Sequence, residues 1–368
     1  MSGCNEIAVP MRPLFFGLGK YERHLSAAAM VIGFAFDNYC FGRVDHPATQ
    51  IALFIYLVVA IVSILLVHFI ESRTNQEGLF QKAHPLLVAA TQFAFGGLWS
   101  AFLVFYGRSA VVSASWPFLI LLAVILVGNE SFRKYRARLV FTCTLFFFAL
   151  FSYTIFVVPV FTGTIGRAVF LISGFLAIAI FCLFLLALSL IGADRVRSAW
   201  HEIAMGAVGV FAAINLFYFS NILPPLPLAL ANAGVFHSIT RVGADYQALG
   251  EPRPWYSATG TAPTVHVGRG EPIYLYSAVF APIQLRTSIV HVWRQYDGVH
   301  GGWRTVSVVR FPIAGGRDGG YRGYSIKSDP APGRWRVDIE TTDGLLIGRI
   351  PFVVQRGLTS TALMQILR

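Results

Sequence analysis

The sequence predicts a membrane α-helical bundle of about seven transmembrane helices, followed by an all-β, immunoglobulin-like sandwich domain. Long apolar segments fill the first three-fifths of the chain, and the last third is polar and rich in turn residues. Of all residues, 55% are hydrophobic and only 13% are charged. Soluble domains carry about 25% charged residues, so this composition indicates a chain that lipid must cover.

A helix needs about 20 apolar residues to cross a hydrocarbon core of about 30 Å. Seven segments approach or exceed this length: 25–41, 51–70, 85–106, 111–128, 139–161, 168–191 and 203–223. The fourth is the least regular because it is short and contains Ser113, Ser115 and Pro117. Without it, every later segment would change sides of the membrane.

The distribution of Lys and Arg predicts the orientation, since cytoplasmic loops retain positive residues. Eleven of these residues lie in the N-terminus and in the second, fourth and sixth loops, whereas the alternate loops hold only Arg43, Arg108 and Arg167. Seven spans with this asymmetry place the N-terminus in the cytoplasm and the C-terminal domain on the other side. In a bacterium this is a multi-pass protein of the inner membrane with a periplasmic domain.

The segments divide the chain into five parts. We expect a cytoplasmic N-terminus at 1–24, the transmembrane domain at 25–223, a proline-rich linker at 224–235, the β-sandwich domain at 236–357 and a C-terminal tail at 358–368. Prolines 224, 225 and 227 favour an extended, stiff linker. The domain is therefore expected close to the membrane surface.

Short β-rich runs separated by Gly, Pro and Asp predict the strands of the domain. They cover 273–280, 287–296, 304–311, 321–327, 334–341 and 346–354. In the run 334–340 the residues alternate, so Trp335, Val337 and Ile339 are expected to face the core and the charged residues between them to face water. The segment 244–263 is expected to be an irregular entry to the domain.

The C-terminal part contains six distinctive runs: PPLPL at 224–228, YLYS at 274–277, HVW at 291–293, GYRGYS at 320–325, PGRWRVD at 332–338 and GR at 348–349. These runs resemble a bacterial domain family of unknown function, domain-of-unknown-function family 2914. The resemblance implies a Gram-negative inner-membrane protein in which the domain follows a polytopic membrane region. It implies no catalytic residues, because the family has no established activity.

One candidate polar site lies inside the membrane part. Asp37 and Asn38 fall near the outer end of the first span, where an unpaired carboxylate costs up to about 2.5–3.5 kcal/mol. An ion pair with Arg43, Arg108 or Arg167 would satisfy the carboxylate, and an ion or substrate path is the functional alternative.

A second candidate site lies in the glycine-rich run 315–324. Its glycines permit close approach of the backbone to an anion, and Arg317 and Arg322 supply positive charge. We therefore predict that Arg317, Arg322 and Tyr324 form part of a ligand-binding surface, the alternative being a hairpin connection made of turn residues. The run lacks the Gly-Lys-Ser or Gly-Lys-Thr ending of a nucleotide-binding loop.

No sequence pattern assigns catalysis, a cofactor or a metal. The histidines of the domain show no ligand-like spacing, and no nucleophile elbow is present. The domain carries 15 Lys and Arg against 9 Asp and Glu. Beside a bilayer, this excess favours an anionic lipid, an envelope glycan or an envelope protein as partner, and not nucleic acid.

Two functional hypotheses remain open at this point. The first is a non-enzymatic envelope anchor whose β-sandwich binds a protein, glycan or lipid. The alternative is a transporter or membrane-embedded enzyme that acts on a lipid-linked or small polar substrate within the helix bundle, with Asp37 at its centre.

Overall fold

The computed structural model describes residues 46–72, 79–109, 112–131, 139–225, 227–243, 245–251, 262–283, 285–314, 319–357 and 363–367. Residues 43–368 form one compact unit. The predicted first span at 25–41, with Asp37 and Asn38, lies outside the described residues, and so does Arg317.

Seven helices lie within the described residues. They are α1 (Pro47–Ser72), α2 (Leu79–Ser109), α3 (Val112–Ser131), α4 (Leu139–Thr162), α5 (Arg167–Ile191), α6 (Ala193–Ser198) and α7 (Trp200–Phe219). Each predicted span from the second to the seventh coincides with one of these helices. The total of seven spans stays a prediction.

Five of the described helices, α1, α2, α4, α5 and α7, are long and apolar enough to cross a membrane. The apolar part of α3 is shorter and covers Ser115–Leu126, which agrees with the irregular sequence there. Large apolar side chains point away from the bundle, including Phe93 and Phe175 at 67% exposure and Leu190 at 80%. Such an apolar exterior is compatible with a membrane protein.

Helix α4 is the most enclosed of the five long helices. In its apolar window 72% of the residues are buried, against 17% in α7. Aromatic rings surround it: Phe148 contacts Trp99 of α2 at a centroid distance of 5.0 Å, and Phe151 stacks on Phe211 of α7 at 5.6 Å. These ring contacts fix the neighbours of α4.

Eleven strands follow in the described C-terminal residues. They are β1 (Ala229–Phe236), β2 (Ser238–Val242), β3 (Asp245–Gly250), β4 (Thr264–Val267), β5 (Ile273–Phe280), β6 (Arg286–Asp297), β7 (Gly302–Ala314), β8 (Tyr321–Lys327), β9 (Gly333–Thr341), β10 (Leu346–Arg356) and β11 (Leu363–Leu367).

The strands form three sheets. Sheet I has the order β1-β5-β8, sheet II the order β4-β10-β9-β6-β7, and sheet III the order β11-β3-β2. All pairs are antiparallel except β4 with β10, which is parallel. Sheets I and II share one apolar core, and a second cluster lies between sheets I and III. The immunoglobulin-like assignment stays a prediction.

The alternation predicted for β9 is half right. Trp335, Val337 and Ile339 lie in the core with 1%, 0% and 0% exposure, as expected. Asp338 was expected to face water, but its exposure is 0%, so this part of the prediction is wrong. Long arginine side chains from the neighbouring strands cover it, which local alternation does not reveal.

Strand β3 lies in the segment 244–263, which was expected to be irregular, so that prediction is wrong for residues 245–250. Two other strands lie in the predicted linker and the predicted tail. Strand β1 begins at Ala229, within the predicted linker, and pairs with β5 from Ala229–Phe280 to Phe236–Tyr274. Strand β11 lies in the predicted tail and pairs with β3. Both additions come from pairing with distant strands, so their own weak β propensity does not decide their conformation.

The β domain is docked on the helices through the turn between β9 and β10. The backbone N–H of Arg167 donates to Asp343 Oδ2 at 3.3 Å, and its guanidinium donates to the Asp343 carbonyl at 3.4 Å. The N–H of Arg286 donates to the Gly163 carbonyl at 3.4 Å, and Ile165 packs against the core of sheets I and II. Gly166 has φ +126 and lies against Asp343, so a side chain there would prevent this contact.

Candidate functional site

The predicted surface residues Arg322 and Tyr324 lie on β8 and belong to a larger cluster. We define the Tyr–Arg patch as Tyr246, Tyr274, Tyr276, Arg322 and Tyr324. Strand pairing places Tyr276 of β5 opposite Tyr324 of β8, and sheet III brings Tyr246 of β3 against the same face. The sequence indicated the β8 residues, but not the tyrosines that the pairing adds.

Ring contacts hold the Tyr–Arg patch together. Tyr246 contacts Tyr276 at a centroid distance of 5.8 Å and Tyr324 at 6.2 Å, and Tyr274 contacts Tyr324 at 6.0 Å. Tyr324 remains 39% exposed, whereas Tyr276 is fully buried. The patch therefore has a buried base and an exposed aromatic edge.

Arg322 supplies the positive charge of the patch. Its Nη1 donates to Asp245 Oδ1 at 3.2 Å, and the Arg322 side chain is 19% exposed. The hydroxyl of Tyr276 is buried and has no hydrogen-bond partner among the described residues. Burial raises the pKa of Tyr276, and the charge of Arg322 opposes this rise, so this hydroxyl is a neutral donor beside a cation.

A second cluster, which the sequence did not indicate, lies on the outer face of sheet II. The carboxylate of Asp338 accepts from Arg349 Nε at 2.7 Å and from Arg294 Nη1, and Arg336 Nε lies 3.3 Å from it. Arg294 also donates to Glu340 at 3.1 Å. Burial raises the pKa of Glu340, while Arg294 lowers it. Three guanidinium groups and two carboxylates leave a net positive charge.

Aromatic rings extend the outer face of sheet II toward the turn between β6 and β7. The guanidinium of Arg336 lies 4.5 Å from the Trp303 ring centroid, and that of Arg334 lies 5.1 Å from the Tyr296 ring. Cation–π contacts of this kind contribute about 0.5–2 kcal/mol each. Because the guanidinium groups of these arginines already contact carboxylates and aromatic rings, the main role of the cluster is to stabilise the sheet.

His291 lies in the core between sheets I and II, within a buried polar network. Its Nε2 is 2.8 Å from Ser277 Oγ and its Nδ1 is 2.8 Å from Ser325 Oγ, while Trp293 Nε1 donates to Ser325 Oγ at 3.0 Å. Burial lowers the pKa of His291 to about 4. The neutral imidazole links β5, β6 and β8, and its full burial gives it a structural role.

Two other histidines meet around one carboxylate at the end of β3. Glu251 lies 3.2 Å from His237 Nε2 and 3.0 Å from His266 Nδ1, and it accepts from the His266 N–H at 2.6 Å. The sequence had shown no spacing that would unite them. Within the part of the chain that the structure describes, no group of three His, Cys, Asp or Glu residues has a geometry that could hold a metal.

A further site lies in the helical part, at the end of the bundle that is remote from the β domain. A cavity of about 290 Å³ lies between α1, α2 and the first turn of α4. His68 and Glu71 of α1, His84 and Thr91 of α2 and Thr142 of α4 are its polar lining residues. We call it the helix-end cavity. Its residues come from three helices, so no local motif signals it.

Comparison with known proteins gives one family match, and it lies in the C-terminal region. No curated protein matches the chain. Among solved structures, the chain is similar to the Pseudomonas fluorescens alkylpurine DNA glycosylase AlkC bound to DNA containing an abasic site analog, at 10% identity. That alignment covers 85% of this chain and 99% of the other, but its TM-score of 0.22 gives it no weight for fold or function.

The family model described as "Protein of unknown function (DUF2914)" matches residues 286–354. The match begins at the first residue of β6 and ends two residues before the end of β10. It includes His291 with its partner Ser325, the Asp338 cluster and the β8 part of the Tyr–Arg patch, but not Ser277. The C-terminal region of this chain therefore contains a match to a family model of unknown function.

Proposed function

We propose that this protein is a non-enzymatic envelope anchor in a bacterial inner membrane, with the N-terminus in the cytoplasm and the β domain in the periplasm. Seven transmembrane helices would carry the domain, an immunoglobulin-like sandwich extended by sheet III. Its Tyr–Arg patch would bind an acidic face of an envelope protein.

The observation that carries this proposal is the docking of the domain on the helices. Asp343 accepts from the N–H of Arg167 at the first turn of α5, and Arg286 of β6 donates to the Gly163 carbonyl. A domain on a flexible tether would need no such contacts. The docking supports a bundle that holds the domain in one orientation.

The composition of the patch favours a protein as partner. Tyrosine and arginine are enriched among the residues that carry most of the binding energy at protein interfaces. The exposed edge at Tyr324 lies beside Arg322, whose guanidinium also pairs with Asp245, and the region after residue 223 has a net positive charge. An acidic partner surface would complement both features. Glycans and lipids are the competing partners that the experiment must separate.

The experiment places a photo-crosslinking amino acid at position 324 of the full-length protein in intact cells. The matched control position is Val299, which is 90% exposed in the turn between β6 and β7. We expect a protein adduct at position 324 but not at 299, and a loss of that adduct in an Arg322→Ala background and at high salt. A lipid or glycan adduct, or equal adducts at both positions, would contradict the proposed partner.

The proposed topology has its own test, independent of the partner. Alkaline phosphatase fused after Arg356 should be active in intact bacteria, and the same enzyme fused after Arg136 should be inactive. The opposite result would mean that the orientation is inverted and that cytoplasmic partners must be considered.

A further inference from the structure

A groove lies on the outside of the helix bundle, where α5, α6 and α7 meet. Its volume is about 690 Å³, which is within the range of about 300–1,000 Å³ that ligand sites occupy. Helix α5 bonds to the β domain at Arg167 and ends at Ile191, so the groove lies at the end of the bundle that is remote from that domain. It shares no lining residue with the helix-end cavity. We call it the α5–α7 groove.

The wall that α5 contributes to the groove is mainly apolar. Cys182, Leu185, Leu186 and Ser189 follow the spacing i, i+3, i+4 and i+7, so they lie on one face of the helix. This face extends about 10 Å along the helix axis. Leu185 is buried at 7% exposure, whereas Leu186 is 55% exposed. The groove is therefore open on the outer surface of the bundle, where acyl chains lie in a membrane.

The end of the groove nearest to the connection between α5 and α7 carries hydrogen-bond donors. Arg197 of α6 and Trp200 and His201 of α7 line it. A guanidinium and an indole N–H only donate, and a neutral imidazole offers one donor. Trp200 is 49% exposed, as expected of an indole ring at the level where acyl chains meet head groups. This end of the groove suits a polar acceptor.

Arg197 is the ionised residue of the groove, and it has no acidic partner. No Asp or Glu is among the described residues that line the groove. Arg195, on the same short helix, pairs with Glu71 at 2.8 Å. The side chain of Arg197 is exposed, and no ion pair or hydrogen bond joins it to a described residue, although Asp194 and Glu202 are near in sequence. An anion can therefore bind Arg197 without displacing a carboxylate.

The charges also indicate which class of lipid fits. Every phospholipid offers a phosphate to a guanidinium, but phosphatidylethanolamine also carries an ammonium group, for which the described lining residues provide no carboxylate. The chain segment 132–138, which leads into α4 at this end of the bundle, contains four Lys and Arg and no acid. Basic segments beside a membrane attract anionic lipids. Both features favour a head group with a net negative charge.

We propose that the α5–α7 groove binds one anionic phospholipid, of which phosphatidylglycerol is the simplest example. The phosphate accepts from Arg197, with His201 as a second donor, and one acyl chain lies along Leu185 and Leu186. This inference rests on the membrane location proposed above, but not on the partner proposed for the β domain.

The experiment uses the full-length protein in phosphatidylcholine nanodiscs that contain a small fraction of phosphatidylglycerol with a photoreactive diazirine on one acyl chain. After irradiation, mass spectrometry identifies the labelled peptides. Unlabelled phosphatidylglycerol, phosphatidylethanolamine or inorganic phosphate then competes. We expect labelling to concentrate between residues 182 and 201. Phosphatidylglycerol should compete at least about fivefold better than phosphatidylethanolamine, and inorganic phosphate, which has no acyl chain, should not compete.

Arg197→Gln is the diagnostic variant because it removes the charge and leaves the apolar wall intact. It should lower the preference for phosphatidylglycerol over phosphatidylethanolamine by about fivefold, and Arg197→Lys, which keeps the charge, should retain a preference. Arg195→Gln removes the same charge from the same helix, but outside the groove. It is the matched control and should keep the preference of the unmodified protein.

A second pair of variants tests the apolar wall. Leu186→Trp should fill the groove and reduce the labelling between residues 182 and 201. Leu190→Trp is its control, because Leu190 is 80% exposed on the same helix and does not line the groove. Both positions are on the outer surface of the bundle, so neither substitution disturbs the packing between helices.

Four results would overturn the proposal. Labelling spread evenly over the exposed faces of α1, α5 and α7 would indicate ordinary boundary lipid and would leave the membrane location intact. An equal loss of preference in Arg195→Gln and Arg197→Gln would show that only the total charge matters. Competition by inorganic phosphate would identify a soluble anion as the ligand. An absence of labelling from every helix would contradict the membrane location itself, and the lipid site with it.

Discussion

The buried imidazole of His291 should make the stability of the β domain depend on pH between about 6.5 and 4. In the folded domain the pKa of His291 is lowered to about 4 by burial, from 6.5 in an unfolded chain. Below pH 6.5 this histidine binds a proton in the unfolded chain, whereas in the folded domain it stays neutral until the pH approaches 4. The stabilisation is therefore complete above pH 6.5 and is lost as the pH falls toward 4.

The magnitude follows from the difference between the two pKa values. One pKa unit corresponds to about 1.4 kcal/mol, so the complete window corresponds to about 3 kcal/mol. Near pH 5 the slope is about 1 kcal/mol per pH unit, because almost one proton separates the two states. Below pH 4 His291 is protonated in both states, so it causes no further decrease in the unfolding free energy.

The assay compares the unmodified protein with His291→Gln, which cannot titrate. Urea unfolding is measured in detergent at several pH values from about 7.5 to 4.5, in a background in which Trp99, Trp116 and Trp200 of the helices are replaced by Phe. Fluorescence then reports the tryptophans of the domain, including the buried Trp293 and Trp335. Carboxylates that titrate in both proteins cancel in the comparison.

His291→Gln will be less stable at neutral pH, since Ser277 and Ser325 lose a partner that bonds both of them. The decisive quantity is the difference in unfolding free energy between the two proteins. It should shrink by about 2–3 kcal/mol from pH 7.5 to 4.5. A constant difference would refute the argument that His291 is buried and neutral.

Three further predictions concern single contacts of the domain. Asp338→Ala should cost about 3–5 kcal/mol in urea unfolding, because it leaves Arg294, Arg336 and Arg349 without their shared carboxylate. Asp297→Ala removes hydrogen bonds only within the turn after β6, from the N–H groups of Val299 and His300, and should cost less in the same measurement. Gly320→Ala should destabilise the domain more than Gly344→Ala. Both glycines have φ +82, but a Cβ at 320 would come within 2.9 Å of the Val279 backbone, whereas one at 344 would meet open space. Equal destabilisation by the two substitutions would show that the contact at 320 is absent. Asp343→Ala should accelerate hydrogen exchange at the Arg167 amide, while Asp329→Ala, which removes a bond to Arg356 elsewhere, should leave that amide protected.

The sequence predicted those strands whose own residues alternate or are bounded by clear turns. The predictions 273–280 and 321–327 coincide with β5 and β8, and 334–341 differs from β9 by one residue at its start. Strand β1, with the sequence ALANAGVF, has little β propensity and was missed. It is a strand because β5 offers it a hydrogen-bonded edge, which no local pattern encodes.

The candidate sites show the same limit. Arg322 and Tyr324 were visible because they are neighbours on one strand, but Tyr246 and Tyr276 join them only through strand pairing and sheet packing. Glu71, His84 and Thr142 line the helix-end cavity from three different helices, so each resembled an ordinary helix residue in its own segment. The burial of Asp338 required arginines from β6 and β10 in addition to its own strand.

The docking of the β domain on the helix ends also limits which partners it can meet. A domain on a flexible tether samples a large volume, so its concentration at any one point in that volume is low. In the proposed topology, a docked domain instead presents its surface at one height above the bilayer and in one direction. For a partner held in the same membrane, this geometry raises the effective concentration, and for a partner further away it lowers it. Changing the contact between Asp343 and Arg167 would therefore alter the reach of the domain without altering its intrinsic affinity.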